Sequence, residues 1–452
     1  MLPPPFVRQM LELLGPEEYP AFLSALQEPA PISIRLRDDA RISAPAQGTK
    51  VPWHPRGYYL PERPVFTLDP VFHAGAYYVQ EASSMFLYEA LRQTVDFSKR
   101  LRVLDLCAAP GGKSTLVADM IGPGSLLVAN EVIRTRVGAL RENLEKWAVH
   151  NVAVTSAEAE DFAAIGPWFD LIVADAPCSG EGLFRKDPDA MREWSPAQVE
   201  MCAVRQRRIL AAAVEALAPG GIFIYSTCTY NRQENEDNNA WMIRTFDLEA
   251  LSLDIPPDWG IVQSGNSFRF FPHRTRGEGF FLAVFRKKDG NPGRQNPPAV
   301  FRNVTPLAKT LIPEARKWLN ETANPRLLQT PSGDIIALPA AQENDYLVLD
   351  KFLKNKWFGT NVGVFKGKDF IPSHALALSS IYAPTLPALD LSREQALLFL
   401  KKETFDISPD MPRGWALARF QGFNLGWMKI LPNRMNNYLP PERRIRMEIK
   451  GG

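Results

Sequence analysis

The sequence predicts an α/β protein whose central domain is built on a mostly parallel β-sheet. Short apolar runs typical of buried strands occur at residues 101–106, 125–129, 151–155, 169–174 and 221–225. Segments with helical periodicity separate them, and such alternation produces a parallel sheet covered on both faces. A further apolar run at 279–285 is expected to close the edge of this sheet.

The regions on either side of this domain differ in composition. Residues 1–74 are rich in proline and predict short helices followed by a strand at 32–36, whereas 300–380 has no assignable pattern. Between residues 413 and 452 there are eight Lys or Arg and only two Glu. This local positive charge is typical of a phosphate-binding surface, and the aromatic residues among it indicate a folded module rather than a tail.

The composition excludes several classes of protein. With 452 residues, 45% hydrophobic and 23% charged, the chain is of globular type and long enough for about three domains. Its four cysteines are too widely spaced for a zinc motif or a disulfide framework, and the five histidines do not cluster. No metal site is expected. Because no run of 18 apolar residues and no signal pattern occurs, we expect a cytoplasmic protein without membrane contact.

A glycine-rich turn follows the first predicted strand and opens a helix. It reads Cys107-Ala108-Ala109-Pro110-Gly111-Gly112-Lys113-Ser114. Small residues allow the backbone to approach a ligand, and free N–H groups at a helix start favour a nucleotide-like cofactor.

Two cofactor classes compete for this turn. Cys107 stands where a phosphate-binding P-loop would have its first glycine, so an NTPase remains a rival. Glu131 ends the second strand, 18 residues after Lys113, where an acidic residue is suited to bind ribose hydroxyls. The turn therefore favours a nucleoside cofactor that donates a methyl group.

Two cysteines follow neighbouring strands of the same predicted sheet. Cys178 follows the fourth strand and Cys228 the fifth. Because ligands of an open parallel sheet bind beyond the carboxyl ends of its strands, both thiols should lie on the edge that carries the glycine turn. A thiolate that adds to carbon 6 of cytosine makes carbon 5 nucleophilic, and Asp175 could assist at the N3/N4 edge of the ring. Cys107 and Cys202 are expected to be structural.

The motifs CAAPGGK (107–113), DAPCSG (175–180) and YSTCT (225–229) resemble those of the Nop/Sun family of RNA cytosine-5 methyltransferases. GEGLFRKDP (180–188) and the C-terminal GFNLG and NRMNN resemble the bacterial small-subunit ribosomal RNA subgroup, the F-type enzymes. The resemblance covers nearly the whole chain and is weakest in 1–70 and 300–380. It implies a Rossmann-like S-adenosylmethionine methyltransferase domain, a small N-terminal α/β domain and a C-terminal β-rich PUA-like RNA-binding domain.

The resemblance also implies the site residues. Cys228 would be the nucleophile, Cys178 would assist product release, and Asp175 and Lys113 would complete the catalytic group. The cofactor S-adenosyl-L-methionine would be bound by Cys107, Ala108, Ala109, Pro110, Gly111, Gly112, Lys113, Glu131, Glu158 and Asp175. Glu158 stands where aspartate is commoner in the family.

The resemblance divides the chain into regions. These are 1–74 (N-terminal RNA-binding or accessory), 75–286 (methyltransferase), 287–299 (linker), 300–385 (intermediate accessory) and 386–452 (PUA-like). The implied partner is RNA, most simply ribosomal RNA or the small ribosomal subunit, bound by a monomer.

Basic side chains beside the predicted site are the candidates for phosphate contacts. They are Arg185, Lys186, Arg269 and Arg434. RNA must present its target base unpaired, so salt-sensitive binding to a folded loop or junction is expected. The alternatives are a tRNA cytosine-5 methyltransferase, a DNA-type enzyme with Cys178 as nucleophile, a non-catalytic assembly factor and an NTPase.

Overall fold

The computed structural model describes residues 2–448 apart from 39–40, 289, 291–292, 294, 409–410 and 433. Part of the predicted linker 287–299, Lys450 and Asn433 therefore lie outside the described residues. No helix in the described ranges has both the length and the apolar character needed to cross a bilayer.

The N-terminal region forms a small four-stranded sheet of β1 (Ile32–Leu36), β2 (Thr49–Lys50), β3 (Gly57–Leu60) and β4 (Tyr77–Val79), in the order β2-β3-β1-β4. The expected short helices lie end to end within α1 (Pro4–Gln27) and are separated at Gly15, whose φ of 77° breaks the helical path just before Pro16. The predicted strand at 32–36 is confirmed. A short helix, α2 (Pro70–His73), precedes β4.

The central region is the predicted mostly parallel sheet, and all five candidate strands are confirmed to within four residues at each end. Its elements are α3 (Leu87–Thr94), β5 (Arg102–Asp105), α4 (Gly112–Met120), β6 (Leu126–Asn130), α5 (Arg134–Lys146), β7 (Val152–Thr155), α6 (Ala159–Ala163), β8 (Phe169–Asp175), α7 (Pro188–Glu193), α8 (Pro196–Ala216), β9 (Leu217–Thr227), α9 (Glu236–Thr245), β10 (Leu248–Ala250), β11 (Val262–Ser264), β12 (Ser267–Phe270) and β13 (Phe280–Lys287).

The sheet is buried on both faces. Along each parallel strand, successive side chains enter opposite hydrophobic clusters, as Leu104 and Val103 do on β5. Strands β9, β8, β5, β6 and β7 are parallel neighbours in that order. This arrangement explains why the strands read as nearly continuous apolar runs.

The expectation that 279–285 closes the sheet edge is wrong. Strand β13 pairs with β9 on one side and with β12 on the other, and β11 follows as the outer strand. Phe280 through Phe285 are all buried, because they alternate between the two hydrophobic clusters that cover the faces of the sheet.

The segment with no assignable pattern forms a five-stranded antiparallel sheet and lends one strand to the central sheet. Strand β17 pairs with β7 and so covers the opposite edge. The elements are β14 (Thr305–Pro306), α10 (Ile312–Arg316), β15 (Arg326–Gln329), β16 (Asp334–Leu338), α11 (Glu343–Phe352), β17 (Lys356–Phe358), β18 (Thr360–Lys366), β19 (Asp369–Pro372) and α12 (His374–Leu378).

The C-terminal region is a four-stranded sheet that shares a core with the N-terminal one. Ile34 and Leu36 of β1 belong to the same cluster as Leu397 and Phe423. Its elements are β20 (Ala388–Asp390), α13 (Arg393–Leu400), β21 (Gly414–Phe420), β22 (Phe423–Leu431) and β23 (Arg434–Asn437). The domain boundaries proposed from the sequence stay predictions.

A buried arginine connects the N-terminal sheet to the helix that follows the glycine turn. Arg35 on β1 is fully buried and donates to Asp119 Oδ2 at 2.7 Å and to Thr115 Oγ1 at 2.5 Å, both on α4. It also donates to Gln80 Oε1 at 2.8 Å and lies 4.5 Å from the centroid of the Trp147 ring. These contacts therefore hold α4 against the N-terminal sheet.

We expect Arg35→Ala to lower the free energy of unfolding by about 3–5 kcal/mol, since Asp119 would lose its cationic partner in a buried setting. Urea titration followed by tryptophan fluorescence measures the change. In the control Arg192→Ala, which breaks an exposed pair with Asp189, the loss should stay below about 1 kcal/mol. Equal losses in the two variants would contradict a structural role for Arg35.

Candidate active site

Two thiols meet where neighbouring parallel strands end. The register pairs Asp175 on β8 with Ser226 on β9, so the loops that follow leave the sheet side by side. Cys178 Sγ and Cys228 Sγ are 3.2 Å apart, and the backbone N–H of Cys228 donates to Cys178 Sγ at 3.4 Å. Both side chains are partly accessible. The sequence-based expectation that these two loops meet at one edge agrees with this geometry.

The hydrogen bond that the Cys178 thiol donates to Cys228 Sγ, together with burial, raises the pKa of Cys178 well above its usual range. A thiol with a raised pKa keeps its proton at neutral pH and is a poor nucleophile. These surroundings therefore disfavour Cys178 as the attacking sulfur.

An ion pair lies near the thiols, at the carboxyl ends of the parallel strands. Lys113 Nζ is 2.7 Å from Asp175 Oδ2, and Ser226 Oγ donates to Asp175 Oδ1 at 2.8 Å. Burial alone would lower the pKa of Lys113, but the Asp175 carboxylate outweighs burial and raises it. Lys113 is therefore a permanent cation, and Asp175 joins the glycine turn to the loops that carry the thiols.

The glycine turn is shaped by its backbone. The Ala109–Pro110 peptide is cis, Gly111 has a φ of 115° that favours glycine, and α4 begins at Gly112. A Cβ atom on Gly112 would lie 3.4 Å from the Tyr78 ring. The turn thus brings the first N–H groups of α4 to the edge of the sheet where β5 ends.

Asp105 lies beneath this turn. It is fully buried, it accepts from Ser114 Oγ at 2.6 Å through Oδ2, and its Oδ1 has no hydrogen-bond partner in the described structure. Burial raises the pKa of Asp105 to about 7, against the hydrogen bond from Ser114. Nearby, burial raises the pKa of the Cys107 thiol, as expected for a structural cysteine.

The two glutamates expected to bind the cofactor differ in their surroundings. Glu131 is buried at the end of β6, where it accepts from the Ile133 N–H at 2.9 Å and pairs with Arg136 at 3.3 Å. Glu158 instead caps α6 and is exposed, 3.4 Å from Arg208. Cofactor binding by either glutamate stays a prediction.

The charges around the turn suit a cationic nucleoside cofactor. Asp105, Glu131 and Asp175 supply three carboxyl groups, of which Asp175 pairs with Lys113 and Glu131 with Arg136. Asp105 Oδ1 is buried and has no hydrogen-bond partner among the described residues. These carboxyl groups fit a sulfonium nucleoside better than a triphosphate.

Two of the four arginines and lysines expected to contact RNA already have carboxylate partners. The Arg185 side chain is 3% exposed and pairs with Glu278 at 3.1 Å. The Arg269 side chain is 9% exposed, pairs with Glu236 and donates to the Tyr230 carbonyl at 2.9 Å. Lys186 and Arg434 are exposed. RNA binding by all four residues stays a prediction.

The sequence analysis missed a buried polar group under the two thiol loops. It comprises Gln206, Tyr225, Glu234, Asn235 and Asn238, which are joined by hydrogen bonds. The only signal was the Glu234-Asn235-Glu236 run directly after the second cysteine loop, and in a sequence such a run is indistinguishable from a solvated surface.

We expect Asp105→Asn to stabilise the protein in a pH-dependent manner. The carboxyl has a pKa of about 7 when folded, against roughly 4 in an unfolded chain. Its ionisation therefore costs stability as pH rises between those values. The gain from Asn should reach between about 1 and 4 kcal/mol at pH 8 and vanish towards pH 4.

Melting temperatures of the variant and wild type across this pH range measure the gain. The exposed control Asp96→Asn should give none at pH 8, since a hydrogen bond from Ser98 lowers the pKa of that carboxyl. A gain for Asp105→Asn that did not change with pH would contradict the burial argument.

Comparison with known proteins agrees with this architecture. Three family models match separate parts of the chain: the N-terminal domain of 16S rRNA methyltransferase RsmF at residues 2–82, the 16S rRNA methyltransferase RsmB/F at 93–286 and the methyltransferase RsmF PUA domain at 386–445.

Among curated relatives is the ribosomal RNA small subunit methyltransferase F of Cronobacter sakazakii, 39% identical over 286 residues that cover 59% of each chain. The protein of the same name from Salmonella paratyphi A is 38% identical over 315 residues, 65% of each chain. The chain thus spans less than two thirds of the length of these relatives.

Solved structures show the same fold. A methyltransferase homolog protein from Pyrococcus horikoshii is 28% identical with a TM-score of 0.52, over 63% of this chain and all of that one. The structure of NSun6 from the same organism with SFG has 22% identity and a TM-score of 0.54, over 64% of this chain and 99% of that one. The catalytic region of the chain therefore belongs to the RsmB/F family of S-adenosylmethionine-dependent methyltransferases, and the N-terminal and PUA regions match the RsmF models.

Proposed function

We propose that this protein methylates carbon 5 of cytosine in small-subunit ribosomal RNA, with Cys228 as the covalent nucleophile and Cys178 as the residue that assists release. The observation that carries the proposal is the 3.2 Å approach of the two thiols beside the Lys113–Asp175 ion pair. A reaction that one nucleophile completes alone would not need a second thiol in contact with the first. The close pair therefore supports separate roles for the two cysteines.

The chemistry assigns each thiol a separate step. The Cys228 thiolate adds to carbon 6 of the cytosine, forming an S–C6 bond and moving an electron pair to carbon 5. Bound S-adenosylmethionine supplies an electrophilic methyl group, which carbon 5 takes. Loss of the carbon 5 proton to a base then returns the electron pair to the ring and breaks the S–C6 bond. Cys178, next to that bond, assists this last step.

The surroundings of Cys178 support this assignment. Its hydrogen bond to Cys228 and its burial raise the pKa of the Cys178 thiol. The DNA-type alternative, in which the cysteine after Pro177 attacks, would require that thiol to ionise in the same surroundings. Asp175, held by Lys113 and Ser226, is placed to hydrogen-bond the N3/N4 edge of the base.

The residues proposed to hold the cofactor are those that line the glycine turn. Asp105, Glu131, the Cys107–Lys113 backbone and Asp175 would hold S-adenosylmethionine. An NTPase is disfavoured because Ser114, which would have to reach a magnesium ion, is fully buried and bonded to Asp105.

RNA is proposed as the substrate on the basis of the PUA-domain match and the names of the relatives. The exposed side chains of Lys186 and Arg434 are the proposed phosphate contacts. A tRNA target remains the alternative within the family. We further propose that the protein acts in the cytoplasm, as a monomer.

We expect Cys228→Ala to abolish methyl transfer and covalent attachment, with activity reduced by at least about 1,000-fold. Cys178→Ala should instead accumulate an enzyme–RNA adduct, visible as a shifted band on a denaturing gel. The control Cys202→Ala, which removes a buried thiol from α8 rather than from either thiol loop, should behave as wild type. Adduct accumulation in Cys228→Ala, with none in Cys178→Ala, would favour the DNA-type assignment. Accumulation in neither variant would refute the covalent route.

Binding to the RNA should weaken as salt rises, because phosphate contacts release counterions. Arg434→Ala should lower the slope of log Kd against log salt by about 1. Lys288→Ala serves as the control. It removes an exposed lysine where β13 ends, at the opposite end of the strands from the thiol loops, and should leave the slope unchanged. Affinity that does not respond to salt would contradict an RNA interface of this kind.

A further inference from the structure

Two adjacent buried residues lie beneath the pair of thiols. Glu234 and Asn235 follow the Cys228 loop and immediately precede α9, and both are fully buried. Residues of this type are rarely buried unless they are bonded on every side. Each contacts a different thiol loop.

Glu234 holds the loop of Cys178. Its Oε2 accepts from the backbone N–H of Ser179 at 3.0 Å and from Gln206 Nε2 at 2.9 Å. The same Gln206 nitrogen donates to the Pro177 carbonyl at 3.0 Å. The residues directly before and after Cys178 are therefore fixed by one carboxyl–amide pair.

Asn235 holds the loop of Cys228 in the same manner. Its Oδ1 accepts from Thr227 Oγ1 at 2.5 Å, and its Nδ2 donates to the Thr229 carbonyl at 2.9 Å. Here too the residues directly before and after the cysteine are held from below. A hydrogen bond between Ser179 Oγ and Thr229 Oγ1 at 2.9 Å joins the two loops.

Further polar side chains support this pair. The Tyr225 hydroxyl lies within hydrogen-bond distance of Gln206 Oε1 and of the Glu234 carbonyl, to one of which it can donate, and Asn238 Nδ2 donates to Gln206 Oε1 at 2.9 Å. Apart from Glu234 Oε1, which has no partner among the described residues, a displacement of the pair would break existing hydrogen bonds, and this favours one arrangement.

We propose that Glu234 and Asn235 are positioning residues, Glu234 chiefly for Cys178 and Asn235 chiefly for Cys228. The inference rests on the proposed covalent reaction and deepens it. The interval between the two sulfur atoms is then set from the start of α9 rather than by the cysteine loops alone. Because both residues are fully buried beneath the loops, each acts through the thiol loop that it holds.

The two positions should give opposite phenotypes. Glu234→Ala releases the Cys178 loop, so release should slow and the RNA adduct should accumulate as in Cys178→Ala. Asn235→Ala releases the Cys228 loop, so the rate of adduct formation should fall without accumulation. Displacing a reacting group by about 1 Å costs up to about 100-fold in rate, so kcat should fall roughly 10- to 100-fold in each variant. KM for the RNA should stay unchanged in Asn235→Ala, whereas in Glu234→Ala it should fall together with kcat, because slow release holds the enzyme in the adduct.

A conservative variant separates positioning from charge. Burial raises the pKa of Glu234 to about 7, so the neutral carboxyl is well populated at neutral pH and glutamine resembles it. Glu234→Gln keeps the acceptor for Ser179 and Gln206 and should restore most of the activity. If Glu234→Gln were as defective as Glu234→Ala, the carboxyl would be acting through its proton or charge, and positioning would be refuted.

Controls distinguish the possible failures. Asp237→Asn, three residues along and partly exposed, should behave as wild type, and Gln206→Met should reproduce the release defect if Glu234→Ala fails to fold. Melting curves and S-adenosylmethionine titration verify folding. If Cys178→Ala traps an adduct but the Glu234, Gln206 and Asn235 variants match Asp237→Asn, this inference fails and the proposed function stands. If Cys178→Ala traps nothing, the proposed function fails.

Discussion

The active site depends on the register between two parallel strands. Because Asp175 on β8 is paired with Ser226 on β9, the strands end at the same level and their loops start together. A shift of one residue would turn each side chain to the other face of the sheet and separate the thiols. The neighbouring parallel strands and the packing on both faces of the sheet fix this register. They therefore set the geometry of the site, although none of their side chains reacts.

Around that edge the protein stabilises an unusual number of buried polar groups. Arg35 fixes α4 from the N-terminal sheet, Lys113 and Asp175 join the glycine turn to the thiol loops, and Glu234 and Asn235 hold those loops from below. Burying such groups is costly unless each finds a partner. Asp105 and Glu234 each keep one oxygen without a partner, and burial raises the pKa of both to about 7. Burying these groups lowers the folding stability, and in return they keep a fixed geometry.

Residue patterns predict the central fold well, because buried parallel strands appear as apolar runs and the helices between them show helical periodicity. The five parallel strands are apolar runs, and the meeting of Cys178 with Cys228 follows from the rule that their strands end at one edge. The pattern fails where partners are distant in sequence. The interior position of β13 depends on β11 and β12, two short strands that carry Gln263 and Arg269 and whose segment resembles a polar loop in the sequence. Arg185 and Arg269 resemble free surface cations in the sequence, because their partners Glu278 and Glu236 are distant from them in the chain. The buried pair at 234–235 carries no hydrophobic signal at all.

The central claim is that the sulfur at position 228, and not its neighbour, bonds to the base. Wild-type protein incubated with S-adenosylmethionine and an RNA carrying 5-fluorocytosine should retain its adduct, since fluorine cannot leave carbon 5 as a proton does. Mass spectrometry of the trypsin- and nuclease-digested adduct then locates the nucleotide on one peptide. We expect the added mass on the peptide that contains Cys228. Finding it on the peptide that contains Cys178 would contradict the assignment of Cys228 as the nucleophile.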